Sequence, residues 1–198
     1  MSARDNILAR LRNATKARKP APPPGPRPVL AIEPVAAFTT AAIKAAAEVE
    51  TLGEMSQAVA VVERLCDEAG IANYSVAPAL QSLNWPQRAQ IGFGQADYPL
   101  AVVAPLAGIA ETGTLLFRSD ADNPTNLLFL PETLVAILPI DTIVTHFEDT
   151  LESLRKSTAF PPRAINWVTG PSRTADIEQT IQLGAHGPRR LRILMIQD

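Results

Sequence analysis

Five short apolar runs, separated by stretches with helical periodicity, constrain the fold more than any other feature of this 198-residue sequence. Each run has the length of a strand, and its β-branched and bulky side chains suit a pleated, covered surface. Such strands alternating with amphipathic helices predict an α/β fold in three layers, in which helices cover both faces of a mixed, mostly parallel sheet. The predicted core strands comprise residues 100–104, 114–117, 134–138, 164–169 and 191–196.

Two helices are predicted before the first of these strands. The first begins at Pro34 and continues through Val49, with Gly53 past its end. The second begins after Ser56 and stops at Gly70, a residue type that commonly follows the last turn of a helix. Later helices are predicted over residues 125–130, 145–156 and 174–183, and shorter elements are a helix over 79–83 and strands over 74–77 and 89–93.

Glu111 is the one ionisable residue in the stretch 108–117, which otherwise has the character of strands and a turn. An isolated buried carboxylate is costly, so Glu111 must be neutralised, paired or directed into a cleft. Thr112 and Thr114 supply hydroxyl groups beside it, and Gly113 allows a ligand or another backbone to approach closely. Glu111 is therefore the candidate catalytic residue, and Thr112, Gly113 and Thr114 are candidate ligand-binding residues.

Two structural alternatives for Glu111 remain open. Glu111 could be a solvated residue in the turn of a β-hairpin, with Gly113 present only for its positive φ. It could instead form a buried ion pair with an arginine such as Arg118 or Arg173. If Glu111 faces a cleft, the loop that begins at Arg118 and ends at Asn123 is expected to overhang it.

Residues 169–174 form a second candidate site, placed between a predicted strand and a predicted helix that begins near Thr174. Free N–H groups and the dipole at a helix start favour an anion, and an arginine can bind a carboxylate or phosphate with two parallel bonds. The alternative is that the same residues only cap the helix. The candidate ligand-binding residues here are Gly170, Ser172, Arg173 and Thr174, with His186 from the following loop.

The charge and the cysteine and histidine content exclude several classes of function. A net charge of -2 lacks the basic excess of proteins that bind nucleic acid or anionic membranes. Cys66 is the only cysteine, so the chain can form neither an intrachain disulfide nor a cysteine-ligated iron–sulfur cluster. His146 and His186 lack the paired spacing of a zinc site, so no metal site is predicted. His146 is expected at the surface or at an interface rather than in catalysis.

No stretch of the sequence approaches the ~20 apolar residues that a helix needs to span a bilayer. The first residues include Arg4, Asp5 and Arg10, whereas a secretory signal needs an apolar stretch there. The protein is therefore predicted to be cytoplasmic.

The first 28 residues are predicted to form a basic arm and a linker, followed by one domain over residues 29–198. A short helix is expected to present Ile7, Leu8 and Leu11 on one face. Residues 20–28 include six prolines, which favour a semi-rigid extended segment. The basic charge of the arm suggests docking on an acidic partner, and a solvated helix face is the alternative.

The segment A-E-T-G-T at residues 110–114, followed by a strand, resembles a signature of the LUD-domain proteins, specifically the lactate-utilisation protein C family. Residues 168–178 and 183–191 resemble the second signature of that family, and the opening residues resemble its N-terminal arm. The resemblance implies a fold similar to that of the ribose-5-phosphate isomerase, glucosamine-6-phosphate deaminase and CoA-transferase superfamily. In sheets of this type ligands collect beyond the carboxyl ends of the strands, where both candidate sites are expected.

The resemblance also implies a function, which is to support the oxidation of L-lactate to pyruvate as a non-redox subunit. The iron–sulfur clusters would belong to partner proteins, and this chain would hold no cofactor of its own. The alternative, by analogy of fold, is a stand-alone enzyme that acts on a CoA thioester or a phosphosugar through Glu111. A ligand sensor that controls other proteins is the third possibility, although the sequence contains no recognisable DNA-reading element.

Overall fold

The computed structural model describes residues 3–16, 25, 33–92, 99–156, 162–177, 180–183 and 187–198. Within these residues the helices are α1 (Ala3–Lys16), α2 (Pro34–Lys44), α3 (Gln57–Ala69), α4 (Asn126–Phe129) and α5 (Phe147–Lys156). The strands are β1 (Glu48–Leu52), β2 (Tyr74–Val76), β3 (Ala89–Ile91), β4 (Leu100–Val103), β5 (Ala107–Ile109), β6 (Thr114–Arg118), β7 (Thr133–Pro139), β8 (Ile143–Val144), β9 (Ile165–Val168), β10 (Arg173–Ile177), β11 (Thr180–Leu183) and β12 (Arg190–Ile196). Two 3-10 turns comprise Pro78–Leu80 and Ile140–Thr142.

The larger sheet has its strands in the order β1-β12-β7-β4-β2-β3, and every neighbouring pair is parallel. β7 and β12 pair along their whole lengths near its centre. Alternate residues of β12 belong to two different core clusters, for example Ile193 to one and Leu194 to the other. A strand buried on both faces has no polar side, which explains why residues 134–138 and 193–196 are continuously apolar in the sequence.

Helices cover both faces of this sheet. α3 packs on one face, where Cys66 belongs to the core cluster, and α2 packs on the opposite face through Phe38. The second sheet lies on the same side as α2, since Phe117 of β6 belongs to the same cluster as Phe38. α5 covers the other face of the second sheet, where Leu154 and Leu116 share a cluster. The second sheet and α5 therefore add to the three predicted layers.

The second sheet has the order β8-β5-β6-β9. β5 and β6 form an antiparallel hairpin, β9 is antiparallel to β6, and β8 is parallel to β5. β10 and β11 form a separate antiparallel pair. The architecture is an α/β fold with mixed, mostly parallel strands and helices on both sides, which confirms the predicted fold class.

The first predicted helix ends earlier than its periodicity indicates. α2 stops at Lys44, and residues predicted to continue it form the edge strand β1, in which Val49 pairs with Ile193. Ala46 takes a left-handed backbone conformation with φ of 67°, and its N–H donates to the carbonyl of Ile43. A left-handed residue commonly ends a helix. Alanine is the best helix former, so the sequence does not indicate that the helix ends here.

The helix predicted over residues 174–183 is wrong. Residues 173–177 and 180–183 form β10 and β11, in which Arg173 pairs with Leu183 and Thr174 pairs with Gln182. The segment contains several β-branched residues, which favour strands. Gly184, the predicted stop of that helix, lies outside the described residues.

The arm forms α1 as predicted, with Ile7 and Leu11 each 59% exposed. The predicted linker over residues 20–28 lies outside the described residues apart from residue 25. Among the helices that the structure describes, none combines the length and the apolar character that crossing a membrane requires.

Candidate functional site

Glu111 lies in the turn that joins β5 to β6, and both of its carboxylate oxygens have partners. Oε2 lies 2.9 Å from Nδ1 of His146, and Oε1 accepts the N–H of Phe147 at 3.0 Å. Phe147 is the first residue of α5. Glu111 is therefore neither a solvated turn residue nor the partner of Arg118, which pairs with Asp120 at 2.9 Å instead.

The carboxylate of Glu111 is held in its ionised form. Burial acts to raise the pKa of Glu111, but the hydrogen bonds from His146 and from the Phe147 N–H lower it below its ordinary value. The position at the amino end of α5 also favours a negative charge. Because an ionised carboxylate only accepts hydrogen bonds, the Nδ1 atom of His146 carries the proton in this pair.

His146 is buried, with 8% of its surface exposed, so of the two predicted positions, at the surface or at an interface, the surface position is wrong. Its backbone N–H donates to Oδ2 of Asp149 at 3.0 Å, and the Asp149 N–H donates back to the His146 carbonyl at 3.2 Å. This reciprocal cap begins α5 and fixes the histidine backbone. The second ring nitrogen, Nε2, makes no hydrogen bond with any residue that the structure describes.

A chain of three threonine hydroxyls lies next to this turn. The Oγ1 atoms of Thr112 and Thr114 are 2.7 Å apart, and those of Thr114 and Thr169 are also 2.7 Å apart. Thr114 is fully buried. The antiparallel pairing of β6 with β9 brings the two candidate segments together. Leu115, which follows Thr114, is paired with Val168, which precedes Thr169.

Two glycines pack both turns against the end of α2. Gly113 has φ of 66°, and a Cβ atom added there would overlap the backbone of Ala41 and Ala42. Gly170 has φ of 70°, and an added Cβ would overlap the carbonyl of Ala45. Helix packing therefore accounts for both glycines, which the sequence suggested as sites of ligand approach.

The sequence predicted that the turn after β9 lies beyond the carboxyl ends of the parallel strands. The structure places it elsewhere. Gly170 packs on Ala45, shortly before β1 begins, and the Ser172 N–H donates to the Pro188 carbonyl at 2.8 Å, shortly before β12 begins. The turn therefore lies at the amino ends of β1 and β12. The cause is β9, which runs antiparallel to β6 and returns the chain to that end.

The loop after β6 does not form a cleft with Glu111, so that prediction is also wrong. Glu111 precedes the first residue of β6, whereas the loop begins at Arg118, which is the last residue of β6. A strand of this length separates its two ends by ~13 Å. The loop instead closes on itself, since Asp120 accepts the N–H groups of Asp122 and Asn123.

The remaining candidate residues are not brought into this site by any described contact. Arg173 and Thr174 begin β10 rather than a helix, which removes the helix-dipole argument for an anion. His186 lies outside the described residues. Among the described residues, no group of three or more histidine, cysteine, aspartate or glutamate side chains is placed to hold a metal ion.

The sequence contained a signal that Glu111 has a partner, because a carboxylate in an apolar stretch requires one. It gave no means of choosing His146. β8 pairs with β5 in parallel, so that Val144 lies beside Ile109 and the Glu111 N–H donates to the Thr145 carbonyl at 3.2 Å. This pairing of a two-residue strand brings His146 to Glu111.

The LUD domain family profile matches residues 87–196, a region that contains both turns and the pair of Glu111 and His146. The chain belongs to the LUD-domain family. The match covers more than half of the chain, from β3 to the last strand of the larger sheet. The family resemblance of the two signature segments is thereby confirmed.

Several curated relatives of this LUD-domain chain carry the name Lactate utilization protein C. The protein from Anoxybacillus flavithermus is 35% identical over 112 residues, which are 57% of this chain and 46% of that protein. The protein from Macrococcus caseolyticus is 30% identical over 125 residues, or 62% and 50% of the two chains. The protein from Bacillus subtilis is 34% identical over 93 residues, or 46% and 39%. The matched region therefore spans about half the length of these relatives or less.

A solved structure has a similar fold. It is the crystal structure of a DUF162 family protein from Deinococcus radiodurans, which superposes on the LUD-domain chain with a TM-score of 0.61. The superposition covers 86% of this chain and 100% of the other, at 18% sequence identity. At this identity the similarity concerns the fold alone.

Proposed function

We propose that this LUD-domain protein acts in lactate utilisation as a subunit without a redox centre of its own. The observation that carries the proposal is the identity of 30 to 36% to relatives named Lactate utilization protein C. The LUD domain of this chain, over residues 87–196, contains Glu111 and His146. Under this proposal the subunit supports the oxidation of L-lactate to pyruvate by its partner proteins in the cytoplasm.

The cysteine content supports the non-redox part of this proposal. Oxidation of L-lactate to pyruvate releases two electrons and two protons, so the electrons need an acceptor. Iron–sulfur clusters are held by several cysteine thiolates, whereas Cys66 is the only cysteine of this chain. It is buried, and burial raises the pKa of its thiol to about 11. The clusters that accept the electrons would therefore belong to partner proteins.

A second candidate function is acid–base catalysis on a small molecule by the isolated chain. The observation that favours it is the buried imidazole of His146, oriented by Glu111 through Nδ1. Because both oxygens of Glu111 are occupied, the carboxylate is poorly placed to attack a substrate itself. The group available for proton transfer is Nε2 of His146, and Glu111 acts as the positioning residue.

Growth and co-purification test both functions. A strain of the source organism that lacks this gene should lose growth on L-lactate and regain it with the wild-type gene. Tagged protein from lactate-grown cells should co-purify with iron-containing proteins. Normal growth of the deletion strain on lactate would contradict the lactate role. Turnover of lactate or of a CoA thioester by the pure isolated chain would favour the enzyme instead.

His146→Asn tests whether Nε2 is needed. The asparagine amide nitrogen can replace Nδ1 as the donor to Glu111, and nothing replaces Nε2. We expect this variant to fold and to fail in restoring growth on lactate. Glu148→Gln is the matched control, because this exposed residue lies in the first turn of the same helix, and it should restore growth fully. If His146→Asn also restores growth, Nε2 has no part in the function.

A further inference from the structure

A cavity of about 570 Å³ opens at the amino ends of β4, β7 and β12, beyond the end of α3. Its walls include Ile71, Ala72, Pro99 and Thr133, and Arg190 lies at its edge. This volume falls in the range of cavities that hold small organic ligands. None of its lining residues takes part in the contacts of Glu111 and His146.

A smaller recess of about 70 Å³ adjoins this cavity, since both are lined by Ile71, Thr133 and Arg190. The recess is also lined by Leu100, Arg192 and the acidic residue Glu48. A water molecule takes about 30 Å³ in the liquid, so the recess accommodates a group of only a few atoms. The larger cavity and the recess together are called the amino-edge cleft below.

Two arginines of β12 point into the amino-edge cleft. Arg190 and Arg192 are two positions apart on one strand, so their side chains lie on the same face of the sheet. The side chain of Arg190 makes no hydrogen bond or ion pair with the residues that the structure describes. Arg192 pairs with Glu48 through Nη2 at 3.1 Å, but its Nε is buried and has no hydrogen-bond partner among the described residues.

The unpaired Nε of Arg192 requires an explanation, because a buried donor without a partner is costly and uncommon. The acidic groups nearby do not satisfy it. Glu48 is engaged at Nη2, and Glu132, which also lines the larger cavity, lies 3.8 Å from Arg189. The cleft therefore presents more guanidinium donors than its own acidic side chains satisfy.

We propose that the amino-edge cleft binds an organic anion, whose carboxylate or phosphate group lies in the recess between Arg190 and Arg192. The arginine donors match the paired oxygens of either group. The apolar body of the ligand contacts Ile71 and Pro99 in the larger cavity. The residues that line the cleft differ from those that contact Glu111 and His146, so a ligand there identifies a second site on the chain.

Calorimetric titration of the full chain with phenyl phosphate, benzoate, inorganic phosphate and benzamide tests the proposal. We expect phenyl phosphate or benzoate to bind, and the stronger of the two identifies the preferred anionic group. Inorganic phosphate should bind at least about tenfold more weakly because it lacks the apolar body. Benzamide, which has no charge, should show no binding. Equal affinities for phenyl phosphate and inorganic phosphate, or no binding by any anion, would overturn the proposal.

Three variants connect the binding to the cleft. Arg190→Met and Arg192→Lys should each weaken binding of the preferred anion at least about tenfold, since each removes guanidinium donors. Ala72→Trp places a bulky side chain at the wall of the larger cavity and should weaken the aromatic anion more than inorganic phosphate. Arg155→Met is the matched control, an exposed arginine on α5, and should bind like the wild type. Wild-type affinity in both arginine variants would overturn the site.

Discussion

The hydroxyl of Thr114 lies 2.7 Å from that of Thr169, although 55 positions separate the two residues in the chain. The contact joins the turn that carries Glu111 to the turn after β9, and both turns pack on the end of α2 through Gly113 and Gly170. The two segments with family signatures are therefore parts of one structural unit. Changes in one turn should affect the other.

Thr114→Val should lower the free energy of unfolding by about 1–3 kcal/mol, because it removes two hydroxyl contacts and leaves Thr112 and Thr169 without their shared partner. Thr114→Ser keeps the hydroxyl and loses one methyl group, so its loss should be about 1 kcal/mol. Urea denaturation of the two variants measures the difference. If valine is tolerated as well as serine, the hydroxyl chain does not stabilise the fold.

Gly113→Ala should be much more destabilising than Gly70→Ala, although both glycines have φ of 66°. Gly70 has open space where a Cβ would be added. The change should therefore lower the free energy of unfolding only by the cost of placing alanine in a left-handed conformation, about 1–2 kcal/mol. At Gly113 the new methyl group would also overlap Ala41 and Ala42 of α2, which adds about 1–3 kcal/mol. Thermal unfolding of both variants checks this. Equal losses would show that α2 moves aside without cost.

The parts of the fold that follow from burial were predictable from the sequence. Residues 134–138 of β7 and 193–196 of β12 are buried on both faces, so they are apolar throughout and could be recognised without any knowledge of their partners. The end of α3 was predictable for a similar reason, since Gly70 takes the left-handed conformation that ends it.

The candidate site was less predictable because it depends on contacts between distant segments. Glu111 could be identified as a carboxylate that needs a partner, but its pairing with His146 depends on the two-residue strand β8. Short strands have too few residues to show a period. The end of α2 at Ala46 was also hidden, because it depends on tertiary packing rather than on a residue that favours left-handed backbone.

Cys66 should resist alkylation in the folded protein. It is buried in α3, and burial raises the pKa of its thiol to about 11, so little thiolate exists at neutral pH. Iodoacetamide at pH 7.5 should leave the native chain unmodified and should add one group after unfolding in urea, as measured by intact mass. Rapid labelling of the native chain would show that α3 opens readily.

Glu111→Gln should lower the free energy of unfolding at pH 7 by about 1–3 kcal/mol, because the ionised carboxylate accepts hydrogen bonds from His146 and from the Phe147 N–H. A glutamine retains the shape but lacks the charge that favours both contacts. Glu148→Gln is the control, because it removes an exposed charge from the first turn of the same helix. Its effect should stay within about 0.5 kcal/mol.

The effect of Glu111→Gln should also depend on pH in a defined direction. The pKa of Glu111 in the folded protein lies below its ordinary value of 4.5, so folding favours the ionised form. Stability from such a group is fully present above the unfolded pKa and is lost as pH falls through the folded pKa. Urea denaturation of the wild type and the variant, from pH 7 down to about pH 3, should show the difference between them shrinking below about pH 4.5. A difference that stays constant over this range would mean that shape, rather than charge, connects Glu111 to α5.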